Sequence, residues 1–422
     1  MGTAEDLRSG WQESIPILTP TKTPKAVLAN ALYALREAPE WQGVLGYDEF
    51  TTATMAMLPP PWQRGNNDWV PRRWSDADDA RATEWLQHQG IHVPLHIAAS
   101  AVQAAAAEAR FHPIMDYLNG LGWDGVQRLG KFAVTHLGAA NTAYHNDVGK
   151  IILLSAVARV FDPGCKADTM AILEGSQGSF KSTALETLFS PAWFSDDIAE
   201  LGSKDAAMQT RVAWCIEVAE LSAMHKGEVE RVKAFVSRRI DRYRPSYGRN
   251  VIEQPRSCIF VGTTNASVYL KDETGARRYL PIRCGTIDLA AIKRDRDQLW
   301  AEAVHQYREA AAWWLTDTGV IAAAVEEQAA RYVPDVWGEV VAEYVDGKRV
   351  TSVSEVLEHA LFLEKAKWDR ASQIRVGQCL TAMKWERKRA GGADETGKRP
   401  WQYHKPLGKN GTDVDWDENG PT

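Results

Sequence analysis

The stretch LEGSQGSFKSTALETLF, residues 173–189, constrains this chain more than any other. It reads as the end of a buried strand over 169–173, a glycine-containing loop, and a helix over 182–189. Phosphate-binding loops follow G-x-x-x-x-G-K-[ST], and Gly175, Lys181 and Ser182 stand at those intervals. Free backbone N–H groups and the positive end of the helix dipole give such a loop its affinity for phosphate. The residues assigned to ATP are therefore Gly175, Ser176, Gln177, Gly178, Ser179, Phe180, Lys181, Ser182 and Thr183. Lys181 would reach the outer phosphates and Ser182 would ligate Mg2+. Phe180 replaces the second glycine of the pattern. Glycine there permits positive φ and close approach to the ligand. Phe180 is thus expected to keep an ordinary φ and turn its ring away, with Gly178 taking the sharpest turn. Alone, the loop is balanced against a chance strand-turn-helix.

Two more strand ends suit the same chemistry. VAWCIEVAEL carries Glu217, assigned to the metal, and Glu220, assigned to polarising the attacking water. The alternative is a helix N-terminus that collects acids. CIFVGTTN ends in Thr263, Thr264 and Asn265, and the Asn265 amide could bond the γ-phosphate or the water. The alternative there is a turn or N-cap. Parallel sheets present ligands at the carboxyl ends of their strands, so three such ends in this order reinforce one another. In DETGARRYLPIR, Arg277 and Arg278 could reach a neighbouring subunit's γ-phosphate. For each arginine singly, a surface ion pair is the stronger alternative.

Residues 165–315 alternate short apolar runs with helical stretches, which predicts an α/β fold with a P-loop core and a parallel sheet. A leader, 1–20, and a mainly helical collar or adaptor region, 21–164, precede it. Within that region GVLGYDEFTTATMAML predicts a strand pair turning at Asp48–Glu49. A connecting helix (316–334), a winged-helix-like domain (335–408) and an acidic tail (409–422) follow.

With 45% hydrophobic and 25% charged residues the chain is ordinary for a globular protein. Its net charge of −6 gives no global attraction to nucleic acid, so such binding must be local. The five scattered cysteines suggest neither a disulfide framework nor a zinc site. MGTAEDLRSGW has no apolar signal core, and no run reaches the ~20 apolar residues that span a bilayer. A cytoplasmic placement without membrane partners is expected.

SRRIDRYRPSYGRN is the densest basic-aromatic stretch: Arg238, Arg239, Arg242, Arg244 and Arg249 interleave with Tyr243 and Tyr247. Arginines neutralise DNA phosphates and tyrosines stack on bases. Intersubunit ion pairing is the alternative. In the tail, SQIRVGQCLTAMKW reads as a recognition helix and ERKRAGGADETGKRPW as a wing. Arg375, Lys384, Arg387, Lys388, Arg389, Lys398 and Arg399 would face DNA. Winged helices also dock proteins.

GCKADTMAILEGSQGSFKSTAL, WCIEVAELSAM, EVERVKAFVSRRIDRYRPSYGR and VGTTNASVYLKDETGARRYLPIR together resemble the virulence-associated E family. FHPIMDYLNGLGWDGVQRL and ARVFDPGCK, upstream, extend the resemblance to roughly residues 95–290. These are phage and genomic-island proteins with a helicase-like ATPase core related to superfamily 3 and AAA+ enzymes. The resemblance implies an AAA+-like core, S-F-K-S as a family trait, and a DNA-tracking hairpin near the arginine stretch. Because a trans arginine needs a neighbour, it also implies a homo-oligomeric ring, taken as a hexamer. The expected function is an ATP-dependent helicase or replication-initiation motor on single-stranded or origin DNA. The alternative is a nucleotide-binding switch or DNA-binding module with weak or absent ATPase activity. The first 90 residues show no primase cluster.

Overall fold

The first pair of named strands turns at Asp48. The computed structural model describes residues 10–65, 67–199, 203–219, 226–244, 251–270, 276–332, 335–389, 391 and 400–405, without the side chains of 226–230 and 276. Strand β1 (Leu45–Asp48) meets β2 (Ala53–Ala56) antiparallel, with Leu45 opposite Ala56 and Asp48 opposite Ala53. The Asp48 carboxylate accepts the N–H groups of Phe50 and Thr51 and the Thr51 hydroxyl, which closes the turn. β3 (Arg72–Arg73) adds to β2, and β4 (Arg110–Phe111) lies parallel to β1, giving the order β3-β2-β1-β4. The region read as mainly helical thus holds a four-stranded sheet. Its two outer strands have two residues each, too short to show an alternating pattern.

Helices α1 (Gly10–Glu13), α2 (Leu28–Glu37), α3 (Asp76–His88) and α4 (Leu95–Ala106) share a core with this sheet, built on Ala34, Leu35, Trp41, Leu86 and Val102. Ser75 caps α3 in a reciprocal capping box with Asp78, so the acids at 76, 78 and 79 are first-turn residues of a helix. After α5 (Pro113–Gly120) and α6 (Phe132–Leu137) comes α7 (Ala143–Phe161), buried nearly all round, as a helix inside a large core must be.

The central sheet begins with β5 (Met170–Glu174), followed by α8 (Lys181–Phe189), β6 (Phe194–Ser195), α9 (Lys204–Gln209) and β7 (Cys215–Val218). Helix α10 (Lys226–Val236) leads to an antiparallel pair, β8 (Ile240–Tyr243) and β9 (Ile252–Pro255). β10 (Ile259–Thr264) and β11 (Tyr279–Arg283) complete the sheet in the order β11-β5-β10-β7-β6, every pair parallel. MAILE, CIEV and IFVGTT are buried throughout because both faces are covered. Leu153, Val157, Leu188 and Trp300 belong to the core on one side, Val232, Phe235 and Tyr269 to that on the other. Helices α11 (Leu289–Arg308) and α12 (Thr318–Ala329) close this unit, which ends at residue 332.

The second compact unit begins at 333. It comprises α13 (Val336–Val345), β12 (Val350–Thr351), α14 (Val353–Glu355) running into a π turn, α15 (Arg370–Ala382), β13 (Glu386–Arg389) and β14 (Trp401–His404). Its antiparallel sheet has the order β12-β14-β13. Val341, Leu357, Val376, Leu380 and Tyr403 make its core. Gly377 is required on α15, since a Cβ there would meet the Tyr403 hydroxyl at 2.8 Å.

Candidate functional site

β10 lies between β5 and β7, so the carboxyl ends of these three strands are neighbours. Glu174 ends β5, and the loop 175–180 carries the chain into α8. Ser179 N–H donates to Ser176 O at 3.3 Å around Gly178, whose φ is +79°. Gly175 N–H donates to Thr264 O, also at 3.3 Å, fastening the loop to β10. Phe180 precedes the helix with φ 62° and ψ 25°, left-handed, and its ring is 58% exposed. This corrects the expectation of an ordinary φ. The loop needs a left-handed residue just before α8, and Phe180 adopts it at a cost of roughly 1–2 kcal/mol. No side chain caps α8, so the first N–H groups of the helix, those of Lys181, Ser182 and Thr183, lack intrahelical acceptors. Ser176, Gln177, Gly178, Ser182 and Thr183 are exposed on this loop and first turn.

Lys181 is 7% exposed. Its Nζ donates to Gly175 O (2.8 Å), Ser176 O (2.9 Å), Ser179 Oγ (3.1 Å) and Asn265 Oδ1 (3.0 Å). Burial pulls its pKa below the ordinary lysine value, against the influence of Cys284 and Glu217. A buried ammonium whose acceptors are all neutral is a site that gains from an anion. Asn265, predicted from its place at a strand end, forms one wall of this cradle.

Glu217 on β7 is 2% exposed. Its Oε1 accepts the Ser182 hydroxyl (2.8 Å) and the Thr263 hydroxyl, while Oε2 is buried with no hydrogen-bond partner among the described residues. An orphan carboxylate oxygen beside a serine hydroxyl is a hard-oxygen donor set suited to Mg2+. Among the described residues there is no cluster of three or more His, Cys, Asp or Glu that could hold a metal. Mg2+ commonly takes one or two carboxylates and completes its shell with phosphate oxygens and water, so the residues fit.

Glu220 lies outside the described residues, as do Tyr247, Arg249, Lys398 and Arg399. Arg278 is half-buried and donates through Nε to Ser237 Oγ at 2.7 Å, while Arg277 is exposed.

The arginine stretch divides in two. Arg238 and Arg239 sit at the base of the β8–β9 pair. Arg238 stacks over Phe235, and Arg239 donates to Gly164 O at 2.6 Å. Arg242 is exposed on β8 and pairs across the hairpin with Glu253 at 2.9 Å, and Arg244, just after β8, is also exposed. Beneath them lies a fully buried pair that the sequence did not reveal. Arg256 Nε and Nη2 meet the two Asp241 oxygens at 2.6 and 2.8 Å, with the guanidinium 4.2 Å from the centre of the Phe235 ring.

In the second unit Arg375 is held by Asp335 (2.8 Å) and lies over Trp337. Its charge is therefore partly answered within the unit. Lys384 follows α15 at φ 62°. Arg387 and Arg389 both lie over Trp401, and Lys388 pairs with Glu386.

The carboxyl ends of β5, β7 and β10 thus bring a loop lysine, a desolvated carboxylate and an amide together in an α/β core with a parallel sheet. The family model for the virulence-associated protein E-like domain matches residues 118–332, just over half of the chain, and the protein belongs to that family. No curated protein matches the sequence. Solved structures of the C-terminal region of NrS-1 are similar at low level. One apo structure shares 11% identity at a TM-score of 0.44, covering 87% of this chain and 99% of that one. An A-form apo structure shares 13% at 0.42, covering 80% and 84%. At these scores the likeness carries no weight for the site. No helix among the described residues is long and apolar enough to cross a membrane.

Proposed function

We propose that this chain is an ATP-dependent DNA motor, a helicase or replication initiator of a phage or other mobile element, with an AAA+-like P-loop core and a winged-helix-like C-terminal unit. The observation that carries this proposal is the convergence of Lys181, Asn265 and the Ser182–Glu217–Thr263 group at three neighbouring strand ends. In this mechanism Lys181 exchanges loop carbonyls for phosphate oxygens, and the uncapped N–H groups of α8 receive the remaining charge. Ser182 and Glu217 would hold Mg2+, which supplies charge neutralisation at the phosphates. Asn265 and Glu220 would orient the attacking water, and Arg277 and Arg278 would serve a neighbouring copy in a ring, a hexamer. Arg242, Arg244 and the connection between β8 and β9, with Tyr247 and Arg249, would meet the DNA backbone. Lys384, Arg387 and Lys388 would do so in the C-terminal unit.

A second reading, a nucleotide switch with weak hydrolysis, is favoured by the left-handed Phe180 and by the engagement of Lys181 with its own loop and Asn265. Titration of the full chain with ATP, with and without Mg2+, tests the site that both readings share. Binding should strengthen with Mg2+, Lys181→Ala should weaken it by about 100-fold or more, and Glu217→Gln should remove most of the Mg2+ dependence. Equal binding by wild type and Lys181→Ala would remove the site from consideration.

A further inference from the structure

Glu174, the residue before the loop, buries a carboxylate that no proposed step uses. Arg331 donates to both of its oxygens, Nε at 2.7 Å and Nη2 at 2.8 Å, and the Tyr269 hydroxyl donates to Oε1 at 2.7 Å. Glu174 is 5% exposed, Arg331 9% and Tyr269 2%, so the group is buried. The Arg331 carbonyl in turn accepts the N–H groups of Tyr269 and Leu270, both at 2.9 Å. The free arm of Arg331 binds the carbonyl and carboxylate of Glu327 at the end of α12.

These bonds bracket the lysine cradle from behind. Lys181 Nζ spans two walls, Gly175 O on one side and Asn265 Oδ1 on the other. Gly175 follows Glu174 directly, and Asn265 stands four residues before Tyr269. One guanidinium therefore ties the strand behind the first wall to the segment behind the second. A bidentate arginine–carboxylate pair fixes orientation as well as distance. A buried ion pair is also a poor way to gain stability alone, since apolar replacements are often as stable.

We infer that Glu174, Arg331 and Tyr269 are positioning residues that set the spacing between the two walls of the Lys181 cradle. The consequence for ATP rests on the proposed nucleotide site; the spacing itself does not. Three full-chain variants test it: Tyr269→Phe, which removes one hydroxyl; Arg331→Met; and Glu174→Gln/Arg331→Met, which leaves no unpaired buried charge. Amide hydrogen exchange without nucleotide should quicken at Gly175, Tyr269 and Leu270 together, least in Tyr269→Phe, more in the double variant and most in Arg331→Met, which strands the Glu174 carboxylate, while amides of α2 to α4 keep wild-type rates. For ATP turnover, the double variant should raise KM about tenfold with kcat within about threefold, the pattern of lost binding geometry. Wild-type exchange at Gly175 in a folded double variant overturns the inference whatever the ATP result. Faster exchange at Gly175 in a protein whose wild type binds no ATP would uphold the bracket and count against the nucleotide site alone.

Discussion

Phe180 holds a left-handed backbone directly ahead of α8. The pattern marked position 180 as one where glycine is usual, and the structure puts a positive φ there. What could not be read is that phenylalanine would accept it. Sterics make the left-handed region uncommon for residues with a Cβ but do not forbid it when the flanking turn and helix fix the backbone. Phe180→Gly should raise stability by about 0.5–1 kcal/mol in denaturant melts, the relieved strain exceeding glycine's added unfolded-state entropy. Phe180→Ala, which keeps the strain, should show no such gain. Equal midpoints for the two variants would show that the backbone at 180 is unstrained. A second single-residue effect lies at Asp295, where the Arg294 guanidinium, with His136 beside it, holds the carboxyl at about 2. A depressed folded-state pKa adds stability that is present above the unfolded value near 4 and lost as pH falls through about 2. After solvent screening at the exposed Arg294, Asp295→Asn should cost about 1 kcal/mol at neutral pH and flatten the acid limb of the stability curve between pH ~4 and ~2. Parallel wild-type and variant curves down to pH 2 would show that the pair contributes nothing.

Elements were most legible where burial was most complete. TMAILEG, VAWCIEVAEL and RSCIFVGTTN announced three central strands because a sheet covered on both faces leaves continuous apolar runs. The same covering hid the buried acids and bases. Nothing in the spacing joins Glu174 to Arg331, 157 positions later, or distinguishes Arg256 from the exposed arginines before it. The usable signal was an acid at or next to the end of an apolar strand, in MAILE as in CIEV, since a buried carboxylate requires a partner. The base of the β8–β9 hairpin makes this measurable. With Asp241 and Arg256 both wholly buried, Arg256→Met alone should cost about 3–5 kcal/mol, because it strands a carboxylate in the core. Asp241→Leu/Arg256→Met should recover most of that loss in the same chemical melts. A double variant as unstable as the single one would mean that the pair itself, and not its broken half, carries the stability.

For the whole molecule, the sequence disclosed an α/β core with its phosphate-suited loop and placed a winged-helix-like domain at 335–408, and in the structure the chain beyond residue 332 forms a compact unit of its own. The family match begins at 118 and ends at 332, later at both ends than the resemblance in the motifs suggested. Motifs cluster where residues would touch a ligand directly, whereas α12 and Arg331 act from behind the loop through packing and one ion-pair network. With a net charge of −6, any grip on DNA must come from local groups such as Arg242 and Arg244 or the Arg387–Arg389 strand. A DNA motor requires that the core hydrolyse nucleotide in response to DNA. The most direct measurement is steady-state ATP hydrolysis by the full chain, with and without single-stranded DNA, for wild type, Lys181→Ala and Glu217→Gln. Wild type should show DNA-stimulated turnover, abolished by Lys181→Ala and severely reduced by Glu217→Gln. Wild-type protein that binds DNA yet hydrolyses no ATP, with or without it, would contradict the motor.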